Sequence, residues 1–195
     1  MDRSDQRVGT GPRRAQDIFA ATLNLLAVQG YSGLTMESVA ARSGVNKTTL
    51  YRWWPSKDAL LAAALADADL LSFDIPDTGT LRGDLREIAA GIHRLLTDTA
   101  TAPIAGAVLA AAPARPELTA IGRAFFAGRL ERERPLFERA VQRGELPPSA
   151  DPAAIMDALA GAIWFRTLLR GEPATPGYLD TVVDLVLPGT AQGSA

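Results

Sequence analysis

Six side chains crowded between positions 46 and 52 carry the chemistry most visible in this chain: Asn46, Lys47, Thr48, Thr49, Tyr51 and Arg52. Each offers a hydrogen-bond donor, two are cations, and none has much core character. Donors at this density suit a partner rich in acceptors, namely phosphate oxygens and the base edges of a DNA major groove. The other chemistries have little to stand on. With no cysteine there is no thiolate metal site, cysteine nucleophile or disulfide framework. His93 is the single histidine, and its place beside Ile92 on an apolar helical stripe suits a structural or surface residue. The carboxylates are scattered, no serine sits in a strand–turn–helix elbow, and no glycine loop could cradle a phosphate. The sequence therefore implies no enzyme, no cofactor and no metal.

The elements that must hold the six donors can be read around them. Thr35 is a good N-cap for a helix reaching about Ser43. Gly44 then breaks it, because glycine adopts the left-handed conformation a tight turn needs. A second short helix runs from about Asn46 to Trp54, and Pro55 stops it. Two helices joined at a glycine turn is the arrangement that lays the second helix in a major groove. Leu50 and Trp54 fall one turn apart and point inward. Upstream, from about Arg13, the positions Ile18, Thr22, Leu25 and Leu26 follow helical spacing until Gly30.

Charge is divided along the chain. Residues 1–57 hold eight basic and four acidic side chains, a net +4, and the remainder holds twelve against eighteen, a net −6. The overall −2 thus conceals a basic head on an acidic body. Phosphate neutralisation depends on that local surplus rather than on the global balance. Both lysines of the chain, Lys47 and Lys57, lie in or beside the second helix.

The rest of the chain reads as helices. Ser56 caps a fourth, with Leu60, Leu61, Ala64 and Leu65 as its stripe. Residues 72–79 break the pattern. A fifth begins near Thr80 and repeats Leu81, Leu85, Ile88, Ile92 and Leu95. A short alanine-rich helix covers about 103–111. A long one covers about 116–143, its stripe including Leu118, Ile121, Phe125, Leu130, Phe137 and Val141, and Pro135 predicts a kink or interruption near Arg134. Two more cover about 151–169 and 178–187. No strand-like alternation occurs. The expectation is an all-α fold of about nine helices: a flexible basic arm over 1–12, a three-helix DNA-binding head over 13–56, and a helical bundle over 57–190. No run approaches the roughly 18 apolar residues of a membrane span, and the N-terminal segment lacks an apolar signal core, so a cytoplasmic protein without a membrane partner is expected.

Gly30-Tyr31, Leu34-Thr35, Val39-Ala40, Gly44-Val45, Thr49-Leu50-Tyr51, Trp54 and Ser56-Lys57-Asp58-Ala59-Leu60 stand at spacings that resemble the head of the TetR family of transcriptional regulators. The match covers roughly residues 13–65. The stretches 139–146 and 159–169 look, more loosely, like the body of one subgroup. The resemblance implies roles position by position. Thr35, Tyr51 and Lys57 would contact phosphates. Lys47, Thr48, Thr49 and Arg52 would lie nearest base edges, with Asn46 at the start of the same helix. Trp53 stands where members often have histidine, tyrosine or arginine, and offers one N–H toward a sugar-phosphate. Arg3, Arg7, Arg13 and Arg14 would add backbone or minor-groove contacts.

For the body, the resemblance implies a small-molecule effector pocket, with Phe125, Phe126, Arg129, Trp164 and Arg166 as lining candidates, although such side chains also make ordinary cores. It implies pairing of the last two helices with those of a second copy, through Ile155, Leu159, Ala162 and Ile163 on one and Leu179, Val182, Val183 and Val186 on the other. The bland alternative is that these faces cover the chain's own core. The whole then reads as a homodimeric regulator, a repressor on a palindromic double-stranded DNA operator, released by a small molecule. The competing reading is a helical ligand-binding or adaptor protein without DNA binding.

Overall fold

The computed structural model describes residues 14–68 and 74–187. The expected arm over 1–12 lies outside them, with Arg3, Arg7 and Arg13. The chain divides into two compact units, Met1–Asp69 and Leu70–Ala195. All regular structure among the described residues is helical.

The first unit holds four helices, α1 (Ala15–Gly33), α2 (Met36–Ser43), α3 (Lys47–Trp53) and α4 (Lys57–Asp67). α1 packs on both α2 and α4. Ile18, Leu26, Leu34, Leu50, Leu60 and Leu61 are fully buried, each worth about 1.5–3 kcal/mol of burial. Phe19 meets Trp54 edge to face with ring centroids 5.4 Å apart. Near its end α1 is bent at Gly30, whose φ of 65° and ψ of 179° no helix allows. α4 belongs with this unit, so the compact head extends past the expected boundary at 56/57. The reason is physical: the stripe of Leu60, Leu61 and Ala64 is buried, and α1 is the helix it faces. A hydrogen bond from Gln16 to Asp67, 3.1 Å, and another from the Tyr31 hydroxyl to Asp58 tie the same two helices.

The second unit contains α5 (Leu81–Thr97), α6 (Ala102–Ala111), a 3-10 turn (Ala112–Ala114), α7 (Pro116–Gln142), α8 (Pro152–Trp164), a π-turn (Phe165–Leu169) and α9 (Pro176–Val186). α5 is its axis, touching α6, α7, α8 and α9. It buries Leu81, Leu85, Ile88, Ala89, Ile92 and Leu96 along one side. Thr80 caps it by accepting from the Gly83 N–H at 3.1 Å, and Glu145 accepts from the Leu81 N–H at 2.6 Å. Asp151 caps α8 by accepting from the N–H groups of Ala153 and Ala154.

Expectations change at three points here. Of the kink or interruption expected near Arg134, the interruption does not occur, because α7 continues through Pro135. Leu118 and Phe137 of its expected stripe are buried, but Arg129, Glu133, Leu136 and Ala140 complete the inner side while Ile121, Phe125, Leu130 and Val141 are only half-buried. The eighth helix does not stay α-helical to Leu169. It widens at Phe165, where the Arg170 N–H reaches back five residues to the Phe165 carbonyl at 3.0 Å.

Candidate nucleic-acid interface

α2 starts from a capping box. Thr35 Oγ1 accepts from the Ser38 N–H at 3.0 Å while Ser38 Oγ accepts from the Thr35 N–H at 3.1 Å. It ends at Gly44, held at φ 65° and ψ 26°, the left-handed turn expected there. The Val45 N–H closes the turn on the Ala40 carbonyl at 3.2 Å. Arg14 reaches the Gly44 carbonyl at 3.3 Å, tying the start of α1 to the same turn. Asn46 then caps α3 through Oδ1, which accepts from the Thr48 N–H at 2.8 Å. Leu50 and Trp54 anchor α3 in the core of the unit. The turn and the two anchors fix which face of α3 is left outside.

That outer face carries Lys47, Thr48, Tyr51, Arg52 and Trp53, all exposed, with Thr49 half-buried beside them. The Lys47 ammonium pairs with Glu37 of α2 and lies 5.6 Å from the Tyr51 ring centroid. Hydrogen bonding between the two pulls the Glu37 carboxyl below its ordinary range and lifts Lys47 above its own. Arg52 lies 5.8 Å from the Trp53 ring, and Trp53 is 41% exposed, so it is no core residue. α3 therefore presents cations, hydroxyls and an aromatic pair on one short helix.

Two predicted phosphate contacts carry other duties. Thr35 has its hydroxyl and N–H engaged in the capping box. Lys57 donates to the carbonyls of Tyr31 and Leu34, both at 3.0 Å, and its ammonium lies 4.0 Å from the Tyr31 ring centroid. Lys57 thus closes the bent end of α1 against α4. Glu37, which sequence reasoning passed over, stands within the donor surface. Its only signal in the sequence was a lone acid in the stretch otherwise filled by donors.

In the second unit the predicted dimer face turns inward. Leu159, Ile163, Leu179, Val182 and Val183 are buried in the unit's own core, with Ile155, Ala162 and Val186 half-buried against it. The outward side of α8 is instead Ala154, Asp157, Ala158 and Gly161, continued by Phe165, Leu168 and Leu169. Residues Pro152–Leu169 are, by length and composition, long and apolar enough to cross a membrane, against expectation, yet only 17% of that stretch is buried.

Of the pocket candidates, Phe125, Phe126 and Trp164 do gather, with centroid separations of 5.1 Å and 5.8 Å along the series. Arg129 is buried in an ion pair with Glu133 at 2.7 Å. Burial pushes the Glu133 carboxyl up and the Arg129 guanidinium down, and each charge opposes the other's shift. Arg166 is spent on structure: it donates to the Pro173 carbonyl at 2.9 Å, pairs with Glu172 and stacks on Tyr178. A cleft of about 470 Å³ opens where the 3-10 turn meets α7, and none of the five candidates lines it.

A helical unit that offers α3 across a glycine turn, followed in the same chain by a second helical unit, defines a helix-turn-helix DNA-binding regulator. Comparison with known proteins gives the family. Residues 18–64 match the bacterial regulatory proteins of the tetR family, and residues 75–186 match the tetracyclin repressor-like C-terminal domain. The chain is 32% identical over 183 residues to an uncharacterised HTH-type transcriptional regulator of Mycobacterium tuberculosis, covering 93% of this chain and 90% of that one. It is 35% identical over 190 residues to a DNA-binding transcriptional repressor TetR of Mycobacteroides abscessus, covering 92% and 95%. Its fold superposes with a TM-score of 0.71 on a TetR family transcription regulator, SCO0332, at 31% identity, covering 92% of this chain and 100% of that chain. The chain belongs to the TetR family, whose members are transcription regulators rather than enzymes.

Proposed function

We propose that this regulator is a repressor that binds a palindromic operator as a homodimer in the cytoplasm and leaves it when a small molecule enters the second unit. The observation that carries the DNA reading is the outer face of α3, where Lys47, Thr48, Tyr51 and Arg52 stand exposed while Leu50 and Trp54 fix the helix from behind. Arg52, Thr48 and Thr49 read base edges, Lys47 joins them on release from Glu37, and Tyr51 and Trp53 meet the backbone. Asn46 and Thr35 act chiefly as caps that aim α3. The name of the M. abscessus relative supports the repressor sign.

The homodimer rests on the outward side of α8. An apolar face of that length, left bare in a single chain, favours burial against its symmetry mate. A lipid environment suits it poorly, because Asp157 stands in the middle of the exposed side. Ala154, Ala158 and Gly161 allow two backbones to approach closely, and Phe165 and Leu168 extend the contact. Ligand and operator each favour a different conformation of the dimer, so by linkage each weakens the other's binding.

The test is selection of genomic DNA fragments on the purified protein at near-physiological salt, followed by sequencing. An enriched palindrome whose half-sites are about one helical turn apart is expected. Retention without a motif, lost as salt rises, overturns sequence-specific reading. Absence of retention even after ligand is stripped favours a helical ligand-binding protein that no longer binds DNA.

A further inference from the structure

Six enclosed polar atoms in the second unit have no hydrogen-bond partner among the described residues: Glu133 Oε1 and Arg139 Nε, which meet ion-pair partners, Asp84 Oδ2, and the neutral groups Trp164 Nε1, Thr167 Oγ1 and His93 Nε2. Native folds keep few such orphans, and each one asks for a cause. Thr167 shows how specific the omission is. Thr22, Thr97 and Thr181 all donate to the carbonyl four residues earlier, at 2.7, 2.8 and 2.9 Å. Thr167 sits in the π-turn instead, and its hydroxyl makes no such bond. Single π-turns inside helices recur at functional sites.

The three neutral side chains belong to one end of the unit. The pairs Arg82–Asp184 and Arg86–Asp180 run α5 antiparallel to α9. His93, about two turns beyond Arg86, therefore lies past the start of α9, level with the loop that follows the π-turn. Arg166 holds that loop at the Pro173 carbonyl, and the π-turn packs on α5. On the other side the Trp164 ring meets Phe126 of α7. One turn along α7 stands the buried Arg129–Glu133 pair, in which the guanidinium is already matched by a carboxylate. The pair itself is neutral.

We propose that the effector, on the ligand-responsive reading above, is a neutral, planar, largely apolar molecule that carries a carbonyl-type acceptor. The Trp164 N–H donates to that acceptor. The Thr167 hydroxyl takes either polarity, and His93 Nε2 presents an N–H or a lone pair according to its tautomer. Phe126 supplies a ring against which a flat ligand lies. The π-turn keeps Thr167 from satisfying itself within its own helix, and so holds its hydroxyl for the ligand.

The test titrates the full chain with flavone and 9-fluorenone, two neutral planar ketones, and with laurate and palmitoyl-CoA as anionic contrasts. Thermal midpoint and tryptophan emission are followed. The ketones should raise the midpoint and change the emission, and the anions should do neither. Trp164→Phe and Thr167→Val should each weaken ketone binding about tenfold, the net worth of one hydrogen bond. Thr167→Val should also raise the midpoint of the ligand-free protein, or leave it unchanged, because it removes an orphan without changing volume. A hydroxyl with a purely structural role would lower that midpoint. No ketone binding up to the solubility limit, unchanged affinity in both variants, or a lowered Thr167→Val midpoint overturns the proposal. Retention on selected DNA, measured in parallel, separates the two readings. A protein released from DNA by laurate or palmitoyl-CoA alone keeps its ligand response and loses the neutral class. One released by none of the four, and binding neither ketone, loses both.

Discussion

Charged side chains of the head compete between two partners, and substitution separates them. Arg52 stacks beside Trp53 and is exposed, so its guanidinium is available to a bidentate acceptor such as guanine. Arg52→Ala should cost about 1–3 kcal/mol on the selected operator and much less on random DNA, as read by fluorescence anisotropy. An equal loss on both would make it a backbone contact. Lys57 behaves otherwise. Its ammonium is donated to the Tyr31 and Leu34 carbonyls, so Lys57→Met should destabilise the head by about 1.5–3 kcal/mol in thermal unfolding. The salt slope of DNA binding should stay unchanged, whereas a phosphate contact would reduce it by about one. Glu37 places a carboxylate beside Lys47 on the same surface. Glu37→Gln should strengthen binding to all sequences at low salt, and unchanged random-DNA affinity would remove Glu37 from the interface.

At the scale of elements, caps and turns were the most legible features. Thr35, Gly44, Asn46, Ser56, Thr80 and Asp151 hold the capping or turn positions their types favour. Such bonds are local, so sequence spacing is enough to place them. Less legible were polar residues within an apolar stripe. Stepping back from Leu136 and Ala140 by helical spacing lands on Glu133 and Arg129, but two charges there suggest solvent unless their mutual pairing is foreseen. The contact of Glu145 with the start of α5 spans 64 positions and left no local trace. It supplies an element-scale prediction. The hydrogen bond from Arg143, and behind it the Leu81 N–H, hold the Glu145 carboxyl below its ordinary value near 4.5. Its stabilising contribution is therefore complete above that value and lost as pH falls through the lower, folded one. Glu145→Gln should cost about 1 kcal/mol at neutral pH, and the deficit should shrink toward zero in strong acid. A deficit constant from neutral pH into acid would show that charge plays no part.

For the whole molecule, the question is which apolar residues serve the single chain and which serve a pair of chains. Periodicity finds the apolar positions of α8 and α9 but cannot assign them to one partner or the other, since a helix apolar on two sides satisfies both. Burial makes the division: Leu159 and Ile163 face the core of their own unit, while Phe165, Leu168 and Leu169 stay largely bare. Two substitutions one face apart should then part company. Leu159→Ala opens a cavity in the core and should lower unfolding free energy by about 2–5 kcal/mol. Phe165→Arg sets a charge on the bare side, where a lone chain solvates it at little cost and a close pair of chains would have to bury it unpaired. That variant should keep its helical content and thermal unfolding as a monomer, sediment at half the mass, and lose the operator. The loss follows because one α3 reads one half-site, and two linked copies gain their affinity from engaging both at once. A Phe165→Arg protein that sediments as a dimer and binds the palindrome unimpaired would move the interface off α8 altogether.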